Sequence, residues 1–278
     1  MSALTFAALI AAGSVGAGLI GALTGLGGGV ALVPLLTLGF GVNIRYAAGA
    51  SLVSVIATSS GAAASYVRDG FANLRIGMLL EVATTIGAVV GAIVAGYIST
   101  AAIAVIFGVA LLYSAFRAAK PEADVDAAAT IDPIAARLRL SGEFPTPTGP
   151  RAYTARRVPI GFGLMAIAGV LSGLLGVGSG AVKVLAMDRA MGLPFKVSTT
   201  TSNFMIGVTA AASAGVYLRR GYIDPALACP VMLGVLAGAL IGARLLRNIQ
   251  VTALRRVFGV VIAVLAVEMI VKGVRGAL

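Results

Sequence analysis

The stretch Leu23-Thr24-Gly25-Leu26-Gly27-Gly28-Gly29-Val30-Ala31-Leu32-Val33-Pro34 is a glycine-dense break inside an uncharged apolar run. It recurs once, 151 residues later, as Leu174-Leu175-Gly176-Val177-Gly178-Ser179-Gly180-Ala181-Val182-Lys183-Val184-Leu185. Gly25, Gly27, Gly29 and Val33 then stand against Gly176, Gly178, Gly180 and Val184. The same offset brings Ala17-Gly18 onto Ala168-Gly169, Arg45 onto Lys196, Ser51 onto Ser202, Thr58 onto Thr209, Gly87-Ala88 onto Gly238-Ala239 and Phe107-Gly108-Val109 onto Phe258-Gly259-Val260. One ungapped register over that length predicts an internal duplication. The expected units are a first repeat at 1–118, a polar linker at 119–157 and a second repeat at 158–278.

Composition puts the duplicated chain in a bilayer. Of its 278 residues 59% are hydrophobic and 11% charged, with a mean hydropathy of +1.02, which leaves too little polar surface to cover a soluble globule. Arg45 is the first charged side chain, and about 20 helical residues cross a hydrocarbon core, so more than one membrane segment precedes it. A β-barrel is excluded because its strands alternate apolar and polar positions, whereas these runs are apolar throughout. No Lys or Arg precedes the first apolar run, so a cleaved signal peptide is not expected. The net charge of +11 sits mostly in short loops, the bias of membrane loops rather than the footprint of a nucleic-acid binder. Cys229, the single cysteine, lies in an apolar segment and reads as a packing residue, with no disulfide framework or thiol metal cluster.

The predicted fold is an all-α polytopic membrane protein of two homologous repeats, with eight long transmembrane helices and two short half-helices after the glycine breaks. Long segments are expected near 4–24, 46–67, 75–97, 101–116, 158–177, 197–218, 225–246 and 252–273, and the short ones near 30–40 and 181–192. Eleven residues span only about 16 Å as helix, so each short piece is a half-helix or a re-entrant segment. Non-helical backbone at membrane depth must be buried in protein or line a cavity. The linker, with Pro121, Pro133, Pro145, Pro147 and Pro150, is expected to be an exposed and partly flexible connection.

Loop charge bears on orientation. The turn at Ser99-Thr100 is uncharged, whereas its counterpart holds Arg244, Arg247, Arg255 and Arg256. Equivalent loops of opposite bias favour inverted repeats with the linker and the 244–256 loop in the cytoplasm. The rival is a pair of parallel repeats whose short pieces do not cross.

A glycine break frees backbone N–H groups at the start of the next helix, where the positive dipole end favours an anion. Gly27, Gly28 and Gly29 in one copy and Gly178, Ser179 and Gly180 in the other are therefore candidate anion-binding positions, against the plainer reading that glycines allow close packing. Lys183 stands where the first copy has Leu32, and a lysine in an apolar segment faces a cavity or a partner. It adds a full charge for an anion, unless it pairs with Asp188 or snorkels. Ser51 and the run Thr200, Thr201, Ser202 and Asn203 offer neutral donors for anion oxygens, or helix caps and interhelical bonds. Arg45 and Lys196 open matched helices and either draw anions to an entrance or act as loop charges. Glu81 and Glu268 are the membrane-segment carboxylates able to carry a coupling proton. An intramembrane enzyme is disfavoured: the chain has no His, no paired aspartates in apolar segments and no Cys–His arrangement. Neither a metal nor a cofactor is expected.

The duplicated half, the Gly25–Gly29 break followed by Pro34, the helix opening Arg45-Tyr46-Ala47-Ala48-Gly49-Ala50-Ser51 and the ending Tyr66-x-x-x-Gly70 resemble the TauE/SafE family of sulfite and organosulfonate permeases, also known for 4-toluene sulfonate uptake. The resemblance covers nearly the whole chain outside the linker. It implies a multi-pass transporter of the cell inner membrane that carries sulfite, sulfoacetate or related sulfonates, most often outward and driven by the proton gradient. Its implied partners are a small anion, the bilayer and, as a homo-oligomer, further copies of the chain. An anion channel, an uptake permease for another small organic anion and a membrane scaffold are the competing functions.

Overall fold

The computed structural model describes residues 3–24, 28–68, 72–118, 132–146, 149–245 and 251–276. Among the described residues the chain is all-α apart from one hairpin. Helix α1 (Ala3–Thr24) is followed by a short α2 (Gly29–Pro34) that widens into a π turn at Leu35–Gly39, then α3 (Ile44–Arg68), α4 (Leu74–Ala95) and α5 (Thr100–Ala118). After a one-turn α6 (Pro133–Arg137) and strands β1 (Ser141–Thr146) and β2 (Gly149–Thr154) come α7 (Val158–Leu175), a short α8 (Gly180–Leu185) with a π turn at Ala186–Ala190, then α9 (Phe195–Arg219), α10 (Pro225–Leu245) and α11 (Val251–Val274). Helices α3, α4 and α5 begin at Ile44, Leu74 and Thr100, and α9, α10 and α11 begin at Phe195, Pro225 and Val251, each 151 positions on. Both π turns obey the same offset.

Among the described residues eight helices run 18 residues or longer. Three of them contain spans clearly long and apolar enough to cross a membrane: Leu74–Ala95, Val158–Leu175 and Pro225–Gly242. Large apolar side chains point outward as well as inward: Met78, Val82, Ile86 and Val90 on α4 and Val260, Val264 and Val267 on α11 are exposed, while the interior holds alanines such as Ala47, Ala88 and Ala104 together with large residues such as Leu32, Leu52 and Phe107. Such exposed apolar faces suit a lipid environment, and the close glycine contacts between helices suit packing within it.

The packing exchanges partners between the two halves. Helix α1 lies along α10 and α7 along α4, while α3 pairs with α9 and α5 with α11. Glycines make the first two contacts possible: a Cβ at Gly87 would lie 2.2 Å from the Ala166 carbonyl oxygen, and one at Gly238 would lie 2.0 Å from that of Val15. Direction can be read from which residues meet. Gly49 of α3 faces Tyr222 beyond the end of α9, whereas Ser59 faces Gly207, so α3 and α9 run antiparallel. Gly108 faces Ile270 and Gly273 faces Ala101, so α5 and α11 do the same.

The short helices fold back on their predecessors. Gly28 returns beside Gly18, Leu35 beside Gly13, and the Phe40 ring meets Phe6 edge-on at 6.2 Å, so α2 retraces α1 as a helical hairpin. In the second half Gly161 meets Met191, and the turn at Gly176 (φ +70°), Gly178 (φ +72°) and Ser179 (φ +42°) reverses the chain through left-handed conformations that glycine adopts without a Cβ penalty.

The linker differs from its expectation where it is described. Residues 132–146 and 149–154 form α6 and an antiparallel strand pair in which Ser141 opposes Thr154 and Thr146 opposes Gly149. Asp132 holds them down: Oδ1 accepts from the Ile134 N–H and Oδ2 from the Val158 N–H, both at 2.8 Å, capping α6 and tying it to the start of α7. These two backbone donors hold its carboxyl below the usual aspartate range. Buried Tyr153 accepts a 2.9 Å hydrogen bond from Asn73 Nδ2 at the start of α4, and Arg156 N–H donates to the Met191 carbonyl. Proline density marked the segment as loop. It did not reveal the buried apolar residues Ala135, Leu140, Tyr153 and Ala155 that pack it down.

Candidate functional site

The tips of the two hairpins meet at the centre of the molecule. A Cβ at Gly29 would stand 2.6 Å from Ser51 Oγ, 3.1 Å from Val177 Cα and 3.2 Å from Val55 Cγ2, and one at Gly178 would press on Ile206 and Val55. Each break is thus enclosed by α3 and by the other half of the chain. Of the first break's candidates, Gly27 lies outside the described residues, while Gly28 and Gly29 are buried. Ser51, fully buried on α3, has an Oγ with no hydrogen-bond partner.

In the second break the Ser179 hydroxyl donates to the Ala168 carbonyl at 2.6 Å, which fixes the turn, and Ser202 Oγ donates to the Gly180 carbonyl at 3.3 Å. Lys183, one turn into α8, is completely buried. Its ammonium donates to Thr209 Oγ1 at 2.5 Å, and that hydroxyl lies 2.7 Å from Glu81 Oε1 and 3.0 Å from the Met205 carbonyl. Thr85 Oγ1 donates to the same Glu81 oxygen at 3.1 Å, while Glu81 Oε2 is buried without a partner. The alternative reading, in which Lys183 pairs with Asp188, is not what the structure has: Asp188 meets Arg189 at 3.5 Å. Three elements build this chain, α8 for the lysine, α9 for the threonine and α4 for the glutamate. Helix α4 reaches it because its packing against α7 and α9 turns Glu81 inward.

The remaining candidates sit elsewhere. Thr200 Oγ1 donates back to the Lys196 carbonyl at 2.8 Å and Thr201 Oγ1 accepts from the Asn73 N–H at 3.0 Å, so both serve helix ends and interhelical contact. Asn203 is partly exposed on α9. Arg45 donates to the Ile98 carbonyl at 2.7 Å with its guanidinium 5.6 Å from the Tyr222 ring centroid, so it anchors the start of α3 to the α4–α5 turn. Lys196 is exposed at the start of α9. Glu268 is exposed on α11 and paired with Lys272 at 3.4 Å, well apart in sequence and setting from buried Glu81. Sequence reading singled out Lys183 and Glu81 separately but missed Thr209 and Thr85. The Thr58–Thr209 match was the available signal.

The charges break the symmetry of the site. Under the 151-residue offset Lys183, Thr209 and Glu81 correspond to Leu32, Thr58 and Met232. Leu32 is fully buried, and Thr58 donates back to the Ser54 carbonyl at 3.0 Å. One half carries the ionic chain where the other is apolar.

The family described as "Sulfite exporter TauE/SafE" matches residues 9–269. The chain belongs to the TauE/SafE family. It is 24% identical to the "Probable membrane transporter protein YunE" of Bacillus subtilis (strain 168), with 98% of this chain and 99% of that protein aligned. It is 28% identical to YdhB of the same organism, also described as a probable membrane transporter, over 82% of this chain and 85% of that one. A probable membrane transporter protein of Xylella fastidiosa (strain 9a5c) shares 24% identity over 91% and 92% of the two chains. No solved structure matches the chain significantly. Membership of the TauE/SafE family and these relatives place it among membrane transport proteins.

Proposed function

We propose that this TauE/SafE protein is a secondary transporter, working as an exporter, of small sulfur-containing anions such as sulfite, sulfoacetate or other organosulfonates. The observation that carries this reading is the meeting of two glycine-broken hairpins beside a buried lysine. Gly29 meets Val177 of the second break and the unpartnered Ser51 hydroxyl, Gly178 shares Val55 of α3 with it, and Lys183, three residues past Gly180, is fully buried. Opposed discontinuous helices around a midplane site are the architecture of alternating-access carriers. A sulfonate or sulfite, with three oxygens and a full charge, suits hydroxyl and amide donors supplemented by one ammonium.

Antiparallel α3–α9 and α5–α11 pairs support inverted repeats of this multi-pass inner-membrane protein, related by an axis in the membrane plane. The hairpins α1–α2 and α7–α8 then enter from opposite faces. Arg75, Arg137, Arg139, Arg151, Arg156, Arg157 and Lys196 gather on the face that carries the linker, which favours that face as cytoplasmic. Uptake of labelled sulfite into proteoliposomes loaded with unlabelled sulfite tests the proposal, with taurine-type sulfonates, sulfate and a carboxylate as competitors. Counterflow selective for sulfite or a sulfonate is expected. Ohmic current without counterflow would mean a channel, and counterflow of a carboxylate alone would move the substrate out of the sulfur class.

A further inference from the structure

Resting on that reading, we infer that Glu81 and the transported anion are alternative counter-ions for Lys183, exchanged by protonation of Glu81, so that each anion moves with a proton. The geometry supplies each part. In the observed state the ammonium, the Thr209 hydroxyl and the Glu81 carboxylate form one buried, formally neutral chain. Thr209 has a single hydroxyl proton and two acceptors within reach, Glu81 Oε1 and the Met205 carbonyl, so it can release the carboxylate without losing a hydrogen bond. The partnerless oxygen Oε2 of Glu81 is the atom that receives the proton.

The charge balance follows. A proton from water bonds to Oε2 and neutralises the carboxylate, which leaves Lys183 as an uncompensated cation in a setting where that is costly. A monovalent anion then restores neutrality, and its departure on the other side returns the proton to water. Because anion and proton move together without net charge, export runs where the internal anion excess outweighs the inward pH gradient, and uptake runs where it does not. The buried site holds zero net charge both empty and fully loaded. Among the described residues no other group takes the role: Asp188, in the π turn after α8, is paired with Arg189 at 3.5 Å. Helix α7 has no titratable side chain, α9 carries Lys196 and Arg219 at its ends and Tyr217, whose hydroxyl donates to the Leu174 carbonyl, α4 adds Arg75 in its first turn, and Tyr153 is engaged by Asn73.

The test uses wild type and Glu81→Gln in proteoliposomes and detergent, with labelled ethanesulfonate as probe because its sulfonate does not titrate, and labelled sulfite counterflow run in parallel. Wild type is expected to accumulate the probe when a pH gradient is applied and to bind it about tenfold more weakly per unit rise in pH above the carboxyl's titration, one proton per anion. Infrared difference spectra on adding the probe should show a carboxylic-acid C=O band in wild type that is absent in Glu81→Gln. The variant should exchange anion with a flat pH profile and lose gradient-driven accumulation. Wild-type counterflow with no proton uptake, or a variant whose pH dependence matches wild type, would overturn the coupling and leave the transporter. Absence of counterflow with every anion would instead remove the transport reading. Should Glu81→Gln not fold, proton uptake on binding by wild type, read with a pH dye, decides the question alone.

Discussion

Replacing Lys183 by Met strands the Glu81 carboxylate in the protein interior, and breaking a buried pair from one side costs about 3–5 kcal/mol. Removing both charges in the double variant Lys183→Met/Glu81→Gln should restore most of that stability, since an apolar filling of similar volume is tolerated where an orphaned ion is not. Melting temperature in detergent checks this order. Sulfite counterflow should fall in both variants, by about ten- to a hundredfold, the worth of one charge-assisted hydrogen bond to the anion. Recovery of transport in the double variant would detach Lys183 from the substrate. Both ends of this chain were legible in the sequence, because a lysine and a glutamate in apolar segments stand out against their surroundings. Thr209 was not, since one hydroxyl among the many on α9 acquires meaning only when α4 packs against that helix.

At the scale of elements, the α4–α7 contact depends on absent side chains. A Cβ at Gly173 would lie 1.9 Å from the Ala88 carbonyl oxygen, a backbone atom that cannot swing away. Gly173→Val should therefore separate the helices and cost about 1–3 kcal/mol or more, seen as a lower melting temperature, whereas Ile167→Val on the outward face of α7 should cost little. Asp132 supplies a pH test. Because its carboxyl titrates lower in the folded chain than when unfolded, its cap is in force at neutral pH and is lost as pH falls through the folded value. Asp132→Asn should thus expose the linker to protease near pH 7, and the gap from wild type should close under acid. Element positions followed from hydropathy and the repeat. The return of α2 and α8 was one of two readings of their short length, whereas the π turns and the docking of the hairpin did not follow, because each depends on contacts between distant segments.

For the whole molecule, the proposed inverted arrangement predicts that the ends of α3 and α9 open on opposite faces. In a Cys229→Ser background, Ala72→Cys and Arg219→Cys should be labelled from opposite sides of sealed vesicles by an impermeant maleimide; labelling from one side would restore the parallel rival. The duplication made the correspondence of elements legible in the sequence, but which helices pair, and in which direction, needed particular neighbours such as Gly49 with Tyr222 and Ser59 with Gly207. The unmatched ionic chain then has a kinetic meaning. Two halves alike in shape and charge would make the inward- and outward-facing forms energetically degenerate. With Lys183 answered by Leu32 and Glu81 by Met232, that degeneracy is lifted, and every 1.4 kcal/mol between the forms biases their resting populations about tenfold. Under the proposed alternating-access function the protein is therefore sided by construction: its apparent affinities for the same anion should differ between the two membrane faces, even when no gradient favours either direction.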